Sequence, residues 1–264
     1  MKYLINGLSV NTFGDEQKQP IVFVHGFPFD HSMWMNQIQW LEKNYYCVAY
    51  DLRGLGMSYV GDGQYTLEFY VDDLFYLIQE LNLQKPVLCG LSMGGYISLR
   101  AVERNQNPFK ALILCDTKSA ADDNAGKLKR SSGINQINTD GLKKFVDEFV
   151  TNCFSEETPK EQEQLFYSTL ERCSKNNPTG VKGAFIAILS RTDTSDFLPK
   201  IKIPTLVLCG SFDKLTPPHV MRQMSDLIPN SEYAMIPQAG HLAPLENPDC
   251  VNDLIEGFLR RRVR

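Results

Sequence analysis

The chain has 264 residues, 43% of them hydrophobic and 22% charged, with a formal net charge of −4. That length suits one large α/β domain, and the mildly acidic balance argues against nucleic acid as a partner. No apolar run approaches membrane-spanning length, and the Asn6-Gly7 turn falls before any signal-peptide core could form, so no membrane partner and a cytoplasmic location are expected. Seven cysteines occur without a C-x-x-C pair, and Cys89, Cys115 and Cys209 fall inside apolar runs, which points to small buried groups in a reducing compartment rather than to disulfides or zinc.

Lys2–Ile5 and Leu8–Thr12 alternate about Asn6-Gly7, the signature of a hairpin. Pro20–Val24 is a short apolar run suited to a strand buried on both faces, and it ends in His25-Gly26-Phe27-Pro28. An amphipathic helix is predicted from Ser32 to Lys43, then a strand at Tyr45–Tyr50 closing on Asp51-Leu52-Arg53-Gly54-Leu55-Gly56-Met57-Ser58. Thr66 caps a predicted helix running to Leu81, with Leu74, Leu77, Ile78 and Leu81 at helical spacing.

Next comes Pro86-Val87-Leu88-Cys89-Gly90-Leu91-Ser92-Met93-Gly94-Gly95, read as a strand, a serine at a tight corner and a helix from Met93 toward Asn105. Ser92 between Gly90 and Gly94 fits G-x-S-x-G, the corner that projects a nucleophilic hydroxyl above a sheet with a helix N-terminus beneath it. A further core strand, Ala111–Cys115, ends at Asp116. The alternation then lapses into a polar helical stretch, with patterned segments at Gly141–Phe154, Lys160–Cys173 and Gly180–Leu189. Strands resume at Pro204–Cys209 and Glu232–Ile236, and an amphipathic helix closes the chain in a cationic tail, Arg260, Arg261, Arg262 and Arg264. The expected organisation is a core of residues 1–117 and 199–264 with an inserted helical cap, 118–198. Alternating strands and helices imply a mostly parallel sheet covered on both faces.

A serine needs a base, and there are four histidines. His25 precedes the loop expected to supply an oxyanion donor and reads as its support; His31 and His219 stand at helix starts and read as solvent-facing. His241, in Gln238-Ala239-Gly240-His241 after the last strand, is the chosen general base. Its acid partner is read as Asp213, just past a core strand, on the chain order Ser…Asp…His; Asp116 remains the rival. The backbone N–H groups of Phe27 and Met93 are the expected oxyanion donors, with Phe27, Met93 and Phe154 as substrate-lining side chains. The substrate could be neutral, against Phe145, Phe149, Phe154 and Phe185, or anionic, against Arg130, Lys127 or Arg191, each of which reads first as a surface charge.

These motifs, in order, resemble the α/β-hydrolase superfamily, and within it the small carboxylesterases, 3-oxoadipate enol-lactonases and cofactor-free haloperoxidase-like hydrolases. The resemblance implies an eight-stranded sheet, a helical cap and the Ser92–His241–Asp213 assignment. It leaves the Asp51–Ser58 stretch a structural role. Serine stands where dehalogenases and epoxide hydrolases carry aspartate. The expected activity is hydrolysis of a small carboxylic ester or lactone through an acyl-enzyme, with no metal or organic cofactor. Cleavage of carbon–carbon bonds in dienoates, or a ligand-binding receptor on the same fold, are the alternatives. Oligomeric state is not legible.

Overall fold

The computed structural model describes residues 1–263, so Arg264 lies outside the described residues. Eight strands form one sheet in the spatial order β1-β2-β4-β3-β5-β6-β7-β8. They are β1 (Lys2–Ile5), β2 (Leu8–Phe13), β3 (Pro20–Val24), β4 (Tyr46–Tyr50), β5 (Val87–Leu91), β6 (Ala111–Cys115), β7 (Thr205–Gly210) and β8 (Ser231–Ile236). β1 and β2 form the antiparallel hairpin, with Asn6 and Gly7 both at positive φ, and β2 runs antiparallel to β4; from β4 to β8 every neighbouring pair is parallel.

The central strands β3, β4, β5, β6 and β7 are buried along their whole length, which is why they read as unbroken apolar runs. Helices cover both faces: α1 (Met35–Leu41), α2 (Leu67–Glu80), α3 (Met93–Arg104), α9 (Pro218–Asp226), α10 (Ala243–Glu246) and α11 (Pro248–Arg262). Between β6 and β7 the chain leaves the sheet for α4 (Asn124–Asp140), α5 (Leu142–Thr151), α6 (Thr158–Glu161), α7 (Glu163–Ser174) and α8 (Pro178–Leu189).

The helix predicted over Ser32–Lys43 is divided: a 3₁₀ turn, His31–Trp34, precedes α1. Asp30 caps that turn, its carboxylate accepting from the Ser32 N–H, which starts the turn earlier and tighter than the apolar spacing suggested. In α2, Thr66 accepts from the Phe69 N–H as expected. The inserted segment holds one long helix, α4, that carries almost no amphipathic signal because only Gly133 and Ile137 of its residues are buried.

Candidate active site

Four loops, each following a parallel strand, meet at the carboxyl end of the sheet. Ser92 stands between β5 and α3 with φ 52° and ψ −114°, a conformation an ordinary residue holds only when its surroundings over-determine it. Here they do. The Ser92 N–H donates to the Cys115 carbonyl at 3.1 Å, and its own carbonyl accepts from Tyr96 N–H and Thr117 Oγ1 at 3.0 and 2.8 Å. A Cβ on Gly94 would lie 2.1 Å from the Val24 carbonyl oxygen, so α3 can start against β3 only with glycine there.

His241 lies on the loop between β8 and α10, 4% exposed, and its Nε2 is 2.8 Å from Ser92 Oγ. Its Nδ1 is 2.9 Å from Asp213 Oδ2, and the contact fixes the proton on Nδ1, leaving Nε2 as the acceptor that faces the serine. Asp213 follows β7. Its Oδ1 accepts the N–H groups of Leu215 and Thr216 at 2.8 and 3.0 Å, and its Oδ2 also takes the Thr216 hydroxyl. Burial penalises its charge, but attraction to His241 and hydrogen bonds from His241 and Thr216 outweigh that and hold its pKa at about 2.

Asp116, at the end of β6, does not take that place. Its Oδ1 accepts the Gly210 N–H at 2.7 Å, and its Oδ2 is buried without a partner. Burial, reinforced by repulsion from Asp213, pushes its carboxyl well above the usual range, opposite in direction to the shift at Asp213.

The loop after β3 passes directly over Ser92: a Cβ added to Gly26 would be 3.3 Å from Ser92 Cβ. The next residue is Phe27, and Met93, the first residue of α3, has an N–H with no intrahelical acceptor. His25 supports this loop from below. Its Nε2 accepts the Leu52 N–H at 2.8 Å, its Nδ1 meets the Gly26 carbonyl at 2.8 Å, and burial lowers its pKa despite the attraction of Asp51. His219 is exposed, as expected.

His31 is only partly exposed. Its Nδ1 is 2.6 Å from Asp51 Oδ1, which also accepts the His31 N–H. Burial opposes the imidazolium, yet the Asp51 hydrogen bond prevails and raises the His31 pKa. With Asp51 Oδ2 accepting the Met57 N–H at 2.9 Å, the Asp51–Ser58 stretch is a scaffold that braces the loop after β3.

Of the aromatic side chains expected to line the site, Phe145, Phe149 and Phe185 pack around the Phe27 ring at 6.1, 5.5 and 4.5 Å between centroids. Phe154 instead packs edge-on against Phe166 at 5.4 Å. Among the cations, Lys127 is exposed. Arg191 is the exception to the surface reading: it is buried, 2.9 Å from Asp122 and with its guanidinium 4.0 Å from the Tyr96 ring centroid. Arg130 and Lys118 also reach Asp122, at 3.2 and 3.1 Å. Burial works against the Asp122 charge, but Arg130, Arg191 and Lys118 hold its pKa at about 2.

Two clusters bring ligand-type atoms within 4.8 Å of one another, Asp30 with His31 and Asp51, and Asp116 with Cys209 and Asp213. Hydrogen bonds within the protein already account for the first, and for all of the second except Asp116 Oδ2. Two residues without any motif complete the geometry: Thr216, three residues beyond Asp213, and the buried Glu246, five beyond His241.

Comparison with known proteins gives the same architecture. Residues 19–248 match the family described as the alpha/beta hydrolase fold. A solved thermophilic esterase from Thermogutta terrifontis, with malate bound, superposes with a TM-score of 0.93 at 34% identity, covering 99% of this chain and 98% of that one. The 3-oxoadipate enol-lactonase 1 of Acinetobacter baylyi is 29% identical over 257 residues, 96% of this chain and 93% of its own. An enol-lactonase structure from Burkholderia xenovorans LB400 shares the fold with a TM-score of 0.90 at 24% identity over 98% of this chain and all of the other.

Proposed function

The chain belongs to the α/β-hydrolase family, and from that premise we propose that it is a serine hydrolase of small carboxylic esters or lactones working through an acyl-enzyme. The observation that carries this reading is the unbroken chain of contacts from Asp213 to His241 Nδ1 and from His241 Nε2 to Ser92 Oγ, at 2.9 and 2.8 Å. Ser92 Oγ attacks the carbonyl carbon while Nε2 takes its proton, and the Asp213 carboxylate stabilises the imidazolium that results. The N–H groups of Phe27 and Met93 receive the tetrahedral oxyanion. His241 then returns the proton to the leaving alkoxide, and a water activated by the same base releases the acid.

The relatives named as esterase and enol-lactonase support ester-bond chemistry. On the substrate side, Phe27, Phe145, Phe149 and Phe185 offer an aromatic wall beside the nucleophile, with α4–α8 as a cap over it. Arg191, Arg130 and Lys118 are engaged by Asp122, which favours a neutral, short acyl group over an anionic one.

Ser92→Ala should lower kcat on p-nitrophenyl acetate by on the order of 10⁴-fold or more, with the fold unchanged by circular dichroism. A folded variant that keeps most of the wild-type rate would overturn the assignment. A panel of neutral and carboxylate-bearing esters and lactones, compared by kcat/KM, tests the preference.

A further inference from the structure

Glu246 is a carboxylate at the end of α10, 5% exposed, with no part in the steps just described. Its Oε1 accepts the Gly240 N–H at 2.8 Å and the Leu242 N–H at 3.3 Å, the two backbone groups that bracket His241. Its Oε2 accepts the Ser155 N–H at 2.8 Å and the Thr158 hydroxyl at 2.5 Å. Both belong to the inserted segment, Ser155 between α5 and α6 and Thr158 at the start of α6, and their hydroxyls meet at 2.8 Å. Two backbone-based bonds run the same way: the His241 N–H donates to the Cys153 carbonyl at 2.7 Å, and Gln162 Nε2 to the Glu246 carbonyl at 2.8 Å.

A buried carboxylate carries a large desolvation cost that only a full set of donors offsets. Here the donors are divided between two parts of the chain, one carrying the imidazole and the other carrying the helices over the site. Each carboxylate oxygen serves one side. Moving the inserted segment away would strip one oxygen of both donors, so the Glu246 carboxylate fastens the segment to the base loop alongside the His241–Cys153 and Gln162–Glu246 bonds.

We propose that Glu246 is a positioning residue that holds His241 in reach of Ser92 only while the inserted segment is seated. This rests on His241 being the general base. The Thr158 hydroxyl is the point where one of the two donors from the inserted segment is removed without touching the base loop. Thr158→Val keeps the shape and removes the donor; Thr158→Ser keeps the donor and loses the methyl.

The assay is p-nitrophenyl acetate turnover by the full chain, with unfolding curves to establish that each variant is folded. Thr158→Val should lower kcat about tenfold, the cost of one hydrogen bond to a charged group, with KM changed less than about twofold. Thr158→Ser should restore kcat to within about twofold of wild type. A packing role predicts the reverse order, since valine fills the site and serine does not. Valine matching or exceeding serine in kcat, or a loss confined to KM, would overturn the proposal. His241→Ala in the same assay separates the two ideas. If it remains active, the base assignment fails. If it is inactive while Thr158→Val turns over like wild type, only the Glu246 link fails.

Discussion

At Asp213, burial and charge pull in opposite directions, and the outcome is decided by how many donors the turn after β7 supplies. The N–H groups of Leu215 and Thr216, the Thr216 hydroxyl and His241 all converge on one carboxylate. That explains why this residue, and not Asp116, can stay ionised opposite an imidazole. Asp213→Asn keeps the shape but removes the charge and presents an amide N–H₂ that competes for the His241 tautomer. We expect kcat at pH 7 to fall on the order of 10³–10⁴-fold with KM little changed. An asparagine variant within tenfold of wild type would shift the acid role to Asp116. Ser92 and His241 stood out in the sequence because glycines, Gly90 and Gly94 around the one and Gly240 before the other, mark where a backbone must bend. Asp213 and Asp116 were not separable there, since each follows a core strand; the tie is broken by a turn whose donors are main-chain groups. His31 was misread for a similar reason: its partner Asp51 is 20 residues away and meets it only because β4 pairs alongside β3.

At the scale of elements, the parallel strands announced themselves, because a strand buried on both faces has no polar positions to interrupt the apolar run. The helices of the inserted segment were legible only where one face is buried, as in α5, whose Leu142, Phe145, Val146 and Val150 point inward. α4 gave little signal, and the charge cluster it joins was not legible as a unit, because its buried member Arg191 stands 69 residues beyond Asp122. That cluster ties α4 and α8 to the loop after β6. Its energetics depend on which member is removed. Asp122→Ala leaves the Arg191 guanidinium buried against Tyr96 with its carboxylate gone, and should destabilise the chain by about 3–5 kcal/mol in urea unfolding. Arg191→Met replaces the buried cation with an apolar group while Arg130 and Lys118 still serve Asp122, so its loss should be clearly smaller. Equal losses would show that packing, not charge compensation, dominates this junction.

Over the whole molecule, three of the buried carboxyls show that contributions to the pH response of stability do not all act in the same direction. Asp213 and Asp122 have pKa values of about 2 in the folded chain against an ordinary 3.8. Each therefore contributes stability that is complete above about pH 4 and is lost as the pH falls through about 2, since the unfolded chain binds the proton first. Asp116 behaves oppositely. Its folded pKa lies well above the ordinary value, so its contribution is complete below about pH 4 and erodes as the pH rises toward that folded value. The source of the penalty is burial of the carboxyl, whose Oδ2 has no partner, with repulsion from Asp213 added to it. Asp116→Asn keeps an acceptor oxygen for the Gly210 N–H and has nothing to ionise. Its stability relative to wild type should improve with pH by up to about 1.4 kcal/mol per unit, starting near pH 4 and levelling off where the folded carboxyl ionises. Urea unfolding of both proteins at pH 5 and pH 8 measures this directly. A difference between them that stays constant across that interval would mean Asp116 ionises as readily in the fold as out of it, and the raised pKa beside Asp213 would have to be given up.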